Sequence, residues 1–127
     1  MLGLLRAFWA AIDTLPTPSA RGLRLLRENL TSSQLAQYDK RRFFEVIGGQ
    51  TGRRYRVHDI STVNIEELNS EGKCVKKLCF HPQGLLVSGD VLLAQKIALE
   101  LYELEALYVA NAYPSHHSRF ARLKAAE

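Results

Sequence analysis

The chain has 127 residues and carries 17 Lys and Arg against 13 Asp and Glu, a formal net charge of +4. Its hydrophobic content of 46% and charged content of 24% are ordinary for a soluble globular protein, and no apolar run approaches the roughly 18 residues needed to cross a membrane. A chain of this length buries roughly two thirds of its unfolded surface, so it folds as one domain without needing disulfides or a metal. The charge is uneven, because residues 1–60 hold ten basic and five acidic side chains whereas residues 61–127 hold seven and eight. An acidic partner would therefore meet the first part of the chain.

Residues 1–15 have the pattern of a short amphipathic helix, with Leu4, Phe8 and Ile12 at helical spacing. The stretch lacks a basic start and is interrupted by charged residues, so it is not a secretory signal peptide. We expect it to pack against the long C-terminal helix. A groove on a partner protein and a membrane surface are the alternatives, and the scarcity of nearby basic residues disfavours the membrane. The candidate contact residues in this arm are Leu4, Phe8, Trp9 and Ile12.

Two short helices are predicted next. Thr17 is placed to cap the first, with Pro18 at its first helical position. Thr31 and Gln34 have the spacing of a capping box and predict the start of the second. Arginines recur at every third residue of the first helix, and we interpret them as a solvated face rather than a phosphate site.

From Phe43 the pattern changes from helical to alternating, which predicts an antiparallel meander. Turn residues cluster at 48–52 and 69–72. On the third predicted strand Ile65 should face inward and Asn64 outward. The predicted strands cover residues 43–47, 53–58, 63–68 and 74–80.

The two cysteines, Cys74 and Cys79, lie five residues apart in the fourth predicted strand. Side chains at that separation point to opposite faces of a strand, which argues against a disulfide between them. Reduced thiols are typical of the cytoplasm, where we expect the protein to act.

Residues 88–113 form the longest helical pattern and the most apolar one. Two apolar stripes run along this predicted helix beside one polar strip, so it should be covered on two sides. The first stripe, expected to face the sheet, consists of Leu93, Ile97, Leu101, Leu104 and Tyr108; the second of Leu99, Tyr102, Ala106 and Val109; the polar strip of Lys96, Glu100 and Glu103. The N-terminal helices are the first choice to cover the second stripe, then a second copy of the chain, then a different protein. Its candidate partner contacts are Leu99, Tyr102 and Val109.

Few residues carry a recognisable chemistry. The sequence GGQTG at 48–52 precedes a strand rather than a helix, so it lacks the helix N-terminus that binds phosphate and is interpreted as a plain turn. Cys79 and His81 are two residues apart and could share a strand face, which would allow a thiol–imidazole dyad, a weak indication of an enzyme. The cysteines and histidines lack the spacing of a metal site. We therefore predict no catalytic residue, no metal and no cofactor, and a protein that is not an enzyme.

A basic face is predicted along the second strand, where Arg54 and Arg56 project together. In one interpretation Glu45, Glu66 and Glu67 neutralise it through cross-strand pairs. In the other it binds nucleic acid without regard to sequence, although it lacks the aromatic platform typical of single-strand binders. The candidate residues for nucleic-acid or partner binding are Arg41, Arg42, Arg53, Arg54, Arg56, Lys76 and Lys77.

Several runs of sequence resemble a group of short bacterial proteins with no known activity. These runs are GGQTGRRYRV, NIEELNSEGK, LCFHPQG and SGDVLLAQKIALELYELEAL, within residues 30–114. The resemblance implies one compact domain and no particular activity. A looser resemblance is to ubiquitin-conjugating folds, in which a helix leads into a four-stranded meander that ends in His-Pro, as at His81 and Pro82. Those enzymes place their cysteine downstream of the His-Pro, where this chain has none.

The sequence thus predicts an α+β domain over residues 16–114, with N-terminal helices, a four-stranded antiparallel meander and a long C-terminal helix packed on the sheet. Residues 1–15 form an amphipathic arm before it, and residues 115–127 form a basic polar tail after it. The expected function is that of a small interaction or adaptor module that binds a protein partner, or a second copy of itself, through apolar helix faces. Sequence-independent binding of nucleic acid is the alternative.

Overall fold

Four helices and five strands follow one another in the part of the chain that the structure, a computed structural model, describes. That part comprises Arg6, residues 17–60 and 62–82, Gly84 and residues 86–114, with the backbone alone for 111–114. The elements in chain order are α1 (Pro18–Glu28), α2 (Ser32–Arg41), β1 (Phe43–Ile47), β2 (Arg54–His58), β3 (Ile65–Leu68), β4 (Cys74–Cys79), α3 (Ser88–Leu101), α4 (Glu103–Val109) and β5 (Asn111–Pro114). The predicted basic tail lies outside the described residues, and so does the predicted arm except for Arg6. The candidate contact residues of the arm are therefore not described: Leu4, Phe8, Trp9 and Ile12. No helix among the described residues is long and apolar enough to cross a membrane.

Both N-terminal helices begin where the sequence predicts. Thr17 accepts a hydrogen bond from the Ala20 amide at 3.1 Å, and Pro18 follows at the first helical position. Thr31 and Gln34 form the predicted capping box, in which each side chain accepts from the backbone amide of the other at 3.2 and 3.0 Å. These contacts satisfy amide donors that an isolated helix end leaves free.

The predicted antiparallel meander is confirmed and gains a fifth strand. The order is β1-β2-β3-β4-β5, and every neighbouring pair is antiparallel. The fifth strand follows α4 because the backbone becomes extended at Ala110, and it pairs with β4 so that Ala112 lies opposite Leu78. The helix predicted over residues 88–113 therefore ends earlier, at Val109.

The outer edge of β1 is covered by side chains of α2. The side-chain amide of Gln34 donates to the backbone carbonyl of Glu45 at 2.9 Å, and the backbone N–H of Glu45 donates to the side-chain oxygen of Gln37 at 2.9 Å. An unpaired strand edge is open to further strands. Glutamines at this edge occupy the groups that another strand would use.

The core lies between the sheet and the helices. Tyr55 and Val57 on β2 are buried and alternate with half-buried neighbours, as their pattern predicts. Helix α1 packs closely on α3 at two glycines, since a Cβ at Gly89 would lie 2.3 Å from the Gly22 carbonyl carbon. The buried cluster consists of Leu26, Tyr38, Phe44, Val46, Tyr55, Val57, Ile65, Leu78, Leu92 and Leu99.

The long predicted helix is divided into α3 and α4 at Tyr102. The side of these helices that packs on the core is not the predicted one. Tyr102 leaves helical geometry, with φ −134° and ψ 43°. Of the stripe expected on the sheet, Leu93 packs partly against the core, but the prediction is wrong for Ile97, Leu101, Leu104 and Tyr108, which are exposed. The residues buried instead are Gly89, Leu92, Gln95, Lys96, Leu99, Glu103 and Ala106. Two of the three members of the predicted polar strip are thus inside.

Candidate functional site

The loop at 48–52 surrounds the buried carboxylate of Glu103. One carboxylate oxygen accepts from the amides of Gln50 and Thr51 at 3.0 and 2.7 Å. The other accepts from the Thr51 hydroxyl and, at 2.6 Å, from the Tyr55 hydroxyl. A Cβ at Gly48 would lie 2.2 Å from this carboxylate, so glycine is what lets the loop close around it. The predicted plain turn is therefore also a binding loop for an internal anion.

Glu103 is 0% exposed, yet it is held as a carboxylate. Burial opposes ionisation, but hydrogen bonds from Thr51, Tyr55 and Gln50 outweigh it and hold the pKa of Glu103 below its ordinary value. The same burial and the same carboxylate raise the pKa of Tyr55, which stays a donor. Because the Gln50 side chain also accepts from the Leu104 amide at 2.8 Å, the loop fixes the start of α4 just after the break.

A buried pair of side-chain amides explains why Gln95 lies on the inner side of α3. Asn64 and Gln95 exchange hydrogen bonds at 2.7 and 3.0 Å. Gln95 also donates to the Phe80 carbonyl at 2.8 Å, and Asn64 to the His58 carbonyl at 3.1 Å. Asn64 was predicted to face outward, but it is buried, and each hydrogen bond of its side-chain amide is made to a group inside the protein.

Six large apolar side chains are left on the outside of α3, the break and α4. Their exposed fractions run from 42% at Ile97 to 91% at Tyr108. Leu99, predicted as a partner contact, is not among them, because it is 0% exposed and belongs to the core. We call the set the α3–α4 surface: Ile97, Leu101, Tyr102, Leu104, Tyr108 and Val109. Sequence reasoning found all six as apolar stripes but assigned four of them to the sheet.

The basic face of β2 is largely paired with carboxylates. Glu45 on β1 binds Arg54 and Arg56, with Nη2 to carboxylate distances of 3.0 and 3.1 Å. These two arginines and burial act in opposite directions on Glu45, and the pKa of Glu45 falls below its ordinary value. Arg56 also lies over the Phe43 ring, at 4.6 Å from its centroid. The predicted neutralisation through cross-strand pairs is therefore present.

Among the other candidate cations, Arg53 lies 3.6 Å from Glu67. His58, which was not a candidate, contacts Glu66. Strand register places Lys77 opposite Glu66 and Lys76 opposite Glu67, as expected for paired strands of mixed charge. Arg42 ends α2 in the left-handed conformation and lies over the Tyr38 ring. Arg41 is exposed at the end of α2.

Cys79 and His81 do come together, with Sγ and Nε2 3.1 Å apart. His81 also lines a cavity of about 420 Å³ at the start of α3. Both cysteines are free thiols and half-buried, and burial together with the adjacent Glu66 carboxylate raises the pKa of Cys74. Among the described residues no group of three potential ligands is arranged to hold a metal ion.

No family model, curated protein or solved structure matches this chain. The resemblance to short bacterial proteins therefore stays a prediction.

Proposed function

We propose that this chain is a small non-enzymatic interaction module that binds a protein partner through the α3–α4 surface. The observation that carries the proposal is the exposure of six large apolar side chains on two consecutive helices. Apolar side chains that are exposed together at neighbouring helical positions, rather than singly, mark interaction sites. Two of the six side chains, Tyr102 and Tyr108, are aromatic, and aromatic residues are enriched at protein interfaces.

The partner that fits is an amphipathic helix. Helix α3 exposes Ile97 and Leu101 four residues apart, and α4 exposes Leu104 and Tyr108 with the same spacing. Rows of this kind accept the apolar face of another helix. The exposed Glu105 lies in the same helix as Leu104, so a basic flank on the partner would complement it.

Sequence-independent nucleic-acid binding is the less favoured function. Such binding depends on cations that are free to replace counterions at phosphates. Arg54 and Arg56 share the Glu45 carboxylate instead, and Arg53 lies beside Glu67. We also place the module in the cytoplasm, where free Cys74 and Cys79 are expected to stay reduced.

Paired glutamate substitutions test the surface. Full-length chain with Leu101→Glu and Tyr108→Glu is compared with wild type and with Leu25→Glu as the matched control, since Leu25 is 47% exposed on α1. We measure self-association by sedimentation velocity, and stoichiometric co-purification of a protein partner after crosslinking in native extract. The double variant should lose the association and the control should keep it.

Two results would contradict the proposal. One is a double variant that retains the wild-type partner at unchanged stoichiometry. The other is a wild-type chain that forms neither a homo-oligomer nor a stoichiometric complex. A salt-sensitive shift of duplex DNA by wild type, abolished by Arg54→Glu with Arg56→Glu, would instead support the nucleic-acid function.

A further inference from the structure

The dyad of Cys79 and His81 adjoins a cavity large enough for a small ligand. His81 belongs to both, because its Nε2 lies 3.1 Å from Sγ and its side chain lines the cavity. The volume of about 420 Å³ falls in the range of small-molecule sites. Apolar walls come from Pro82, Leu86 and Val91. Asp59, Asn64 and Ser88 add polar groups to its lining. A thiol, an imidazole and a partly apolar cavity therefore adjoin one another beyond the end of β4.

We propose that Cys79 is a covalent modification site for small α,β-unsaturated carbonyl compounds that enter this cavity, with His81 as the proton acceptor. The apolar part of the cavity wall suits the carbon skeleton of such a compound. Cys79 does not itself line the cavity, but its sulfur contacts His81, which does. This site is separate from the α3–α4 surface and does not depend on it.

The addition balances without a co-reactant. The thiol proton of Cys79 passes to Nε2 of His81, and the sulfur lone pair forms a bond to the β-carbon of the ligand. The π electrons of the carbon–carbon double bond move toward the carbonyl as an enolate. The imidazolium then returns the proton to the α-carbon. One S–C bond and one C–H bond form, one S–H bond and one C–C π bond break, and nothing is oxidised.

Cys74 supplies a matched reference within the same strand. It is half-buried like Cys79, but its neighbour is the Glu66 carboxylate rather than an imidazole. A carboxylate beside a thiol disfavours the thiolate, which is the nucleophilic form. Both thiols are thus half-buried but have different side chains beside the sulfur.

N-ethylmaleimide is a suitable probe because it is a small α,β-unsaturated carbonyl compound. The full-length protein is treated at pH 7, and the modification rate of each cysteine is followed by peptide mass spectrometry. Cys79 should react at least about tenfold faster than Cys74. His81→Gln, which keeps a hydrogen-bonding side chain but removes the proton acceptor, should slow Cys79 by about the same factor. The rate at Cys74 reports on unfolding, since a loosened chain exposes both thiols.

A second variant tests the cavity itself. Leu86→Trp places a larger side chain in the cavity wall at a position that is 45% exposed. It should slow Cys79 severalfold and leave Cys74 unchanged. Equal rates at the two cysteines, an unchanged Cys79 rate in His81→Gln, or an unchanged Cys79 rate in Leu86→Trp would each overturn the proposal.

Discussion

Glu103→Gln should destabilise the fold by about 2 kcal/mol at pH 7. In the wild type the carboxylate accepts four hydrogen bonds, from the two amides and the hydroxyl of the loop and from Tyr55. A hydrogen bond to a charged acceptor contributes about 1.5–3 kcal/mol, and a neutral one about 0.5–1.5 kcal/mol. Glutamine keeps one acceptor for the two amides but places an NH₂ group against two hydroxyls. The weaker hydrogen bonds lower the free energy of unfolding, but part of this loss is offset because glutamine buries no charge.

The loss should also depend on pH in a defined direction. The folded state holds the pKa of Glu103 below its ordinary value of 4.5, so the unfolded chain takes up the proton more readily. The stabilisation is complete above the unfolded pKa and disappears as the pH falls through the folded pKa. The difference between wild type and Glu103→Gln should therefore be constant near neutrality and shrink below about pH 4.

Urea unfolding followed by circular dichroism at several pH values measures both effects. Glu105→Gln is the matched control, because it removes an exposed carboxylate from the same helix and should change stability by less than about 0.5 kcal/mol. A Glu103→Gln protein as stable as wild type at pH 7 would refute the role given to the loop. So would a difference that does not change between pH 7 and pH 3.

Three further changes follow from the packing and the pairs. Gly89→Ala should cost about 3 kcal/mol in urea unfolding, because its Cβ meets the backbone of α1, whereas Ser88→Ala should be nearly neutral; a neutral Gly89→Ala would contradict the close helix contact. Asn64→Leu and Gln95→Leu should each lower the free energy of unfolding by about 2–3 kcal/mol, because each change leaves the other amide unpaired. The double variant should lose at least about 1 kcal/mol less than the sum of the two single changes. Strictly additive losses would count against the pair. Glu45→Gln should strengthen low-salt binding of duplex DNA in fluorescence anisotropy by releasing two arginines, and an unchanged affinity would mean that the arginines are held in place by other contacts.

Local signals in the sequence were sufficient for the starts of α1 and α2 and for the first four strands of the sheet. Capping by Thr17 and Thr31 depends on residues three positions away, and the alternation of Tyr55 and Val57 depends on the next residue but one. Interactions of that range are encoded in the immediate neighbourhood. The pairing of Arg56 with Glu45 agrees with the cross-strand neutralisation that was one of the two interpretations, because β1 and β2 are neighbours in the meander.

The orientation of the long helix was not predictable in this way. Apolar residues cover most of its circumference, so hydrophobicity alone does not say which stripe faces the core. The buried polar residues Gln95 and Glu103 fix the inner side, and their partners Asn64 and Thr51 come from loops far away in the sequence. The glycine-rich sequence at 48–52 was the one signal in the sequence for the loop around Glu103. It indicated a turn but not that the turn encloses a carboxylate.

The contact between Glu103 and Thr51 joins residues 52 positions apart, and this bears on the order in which the chain assembles. Until the β1–β2 loop has closed, the carboxylate has no donors and its burial is unfavourable. Helix α4 should therefore dock only after that hairpin has formed, and β5, which follows α4, should join the sheet last. In the reverse direction, opening of the loop frees α4 and β5 together. Amide protons between β4 and β5 should accordingly exchange with solvent sooner than those between β1 and β2, through a partial opening that leaves the rest of the sheet intact.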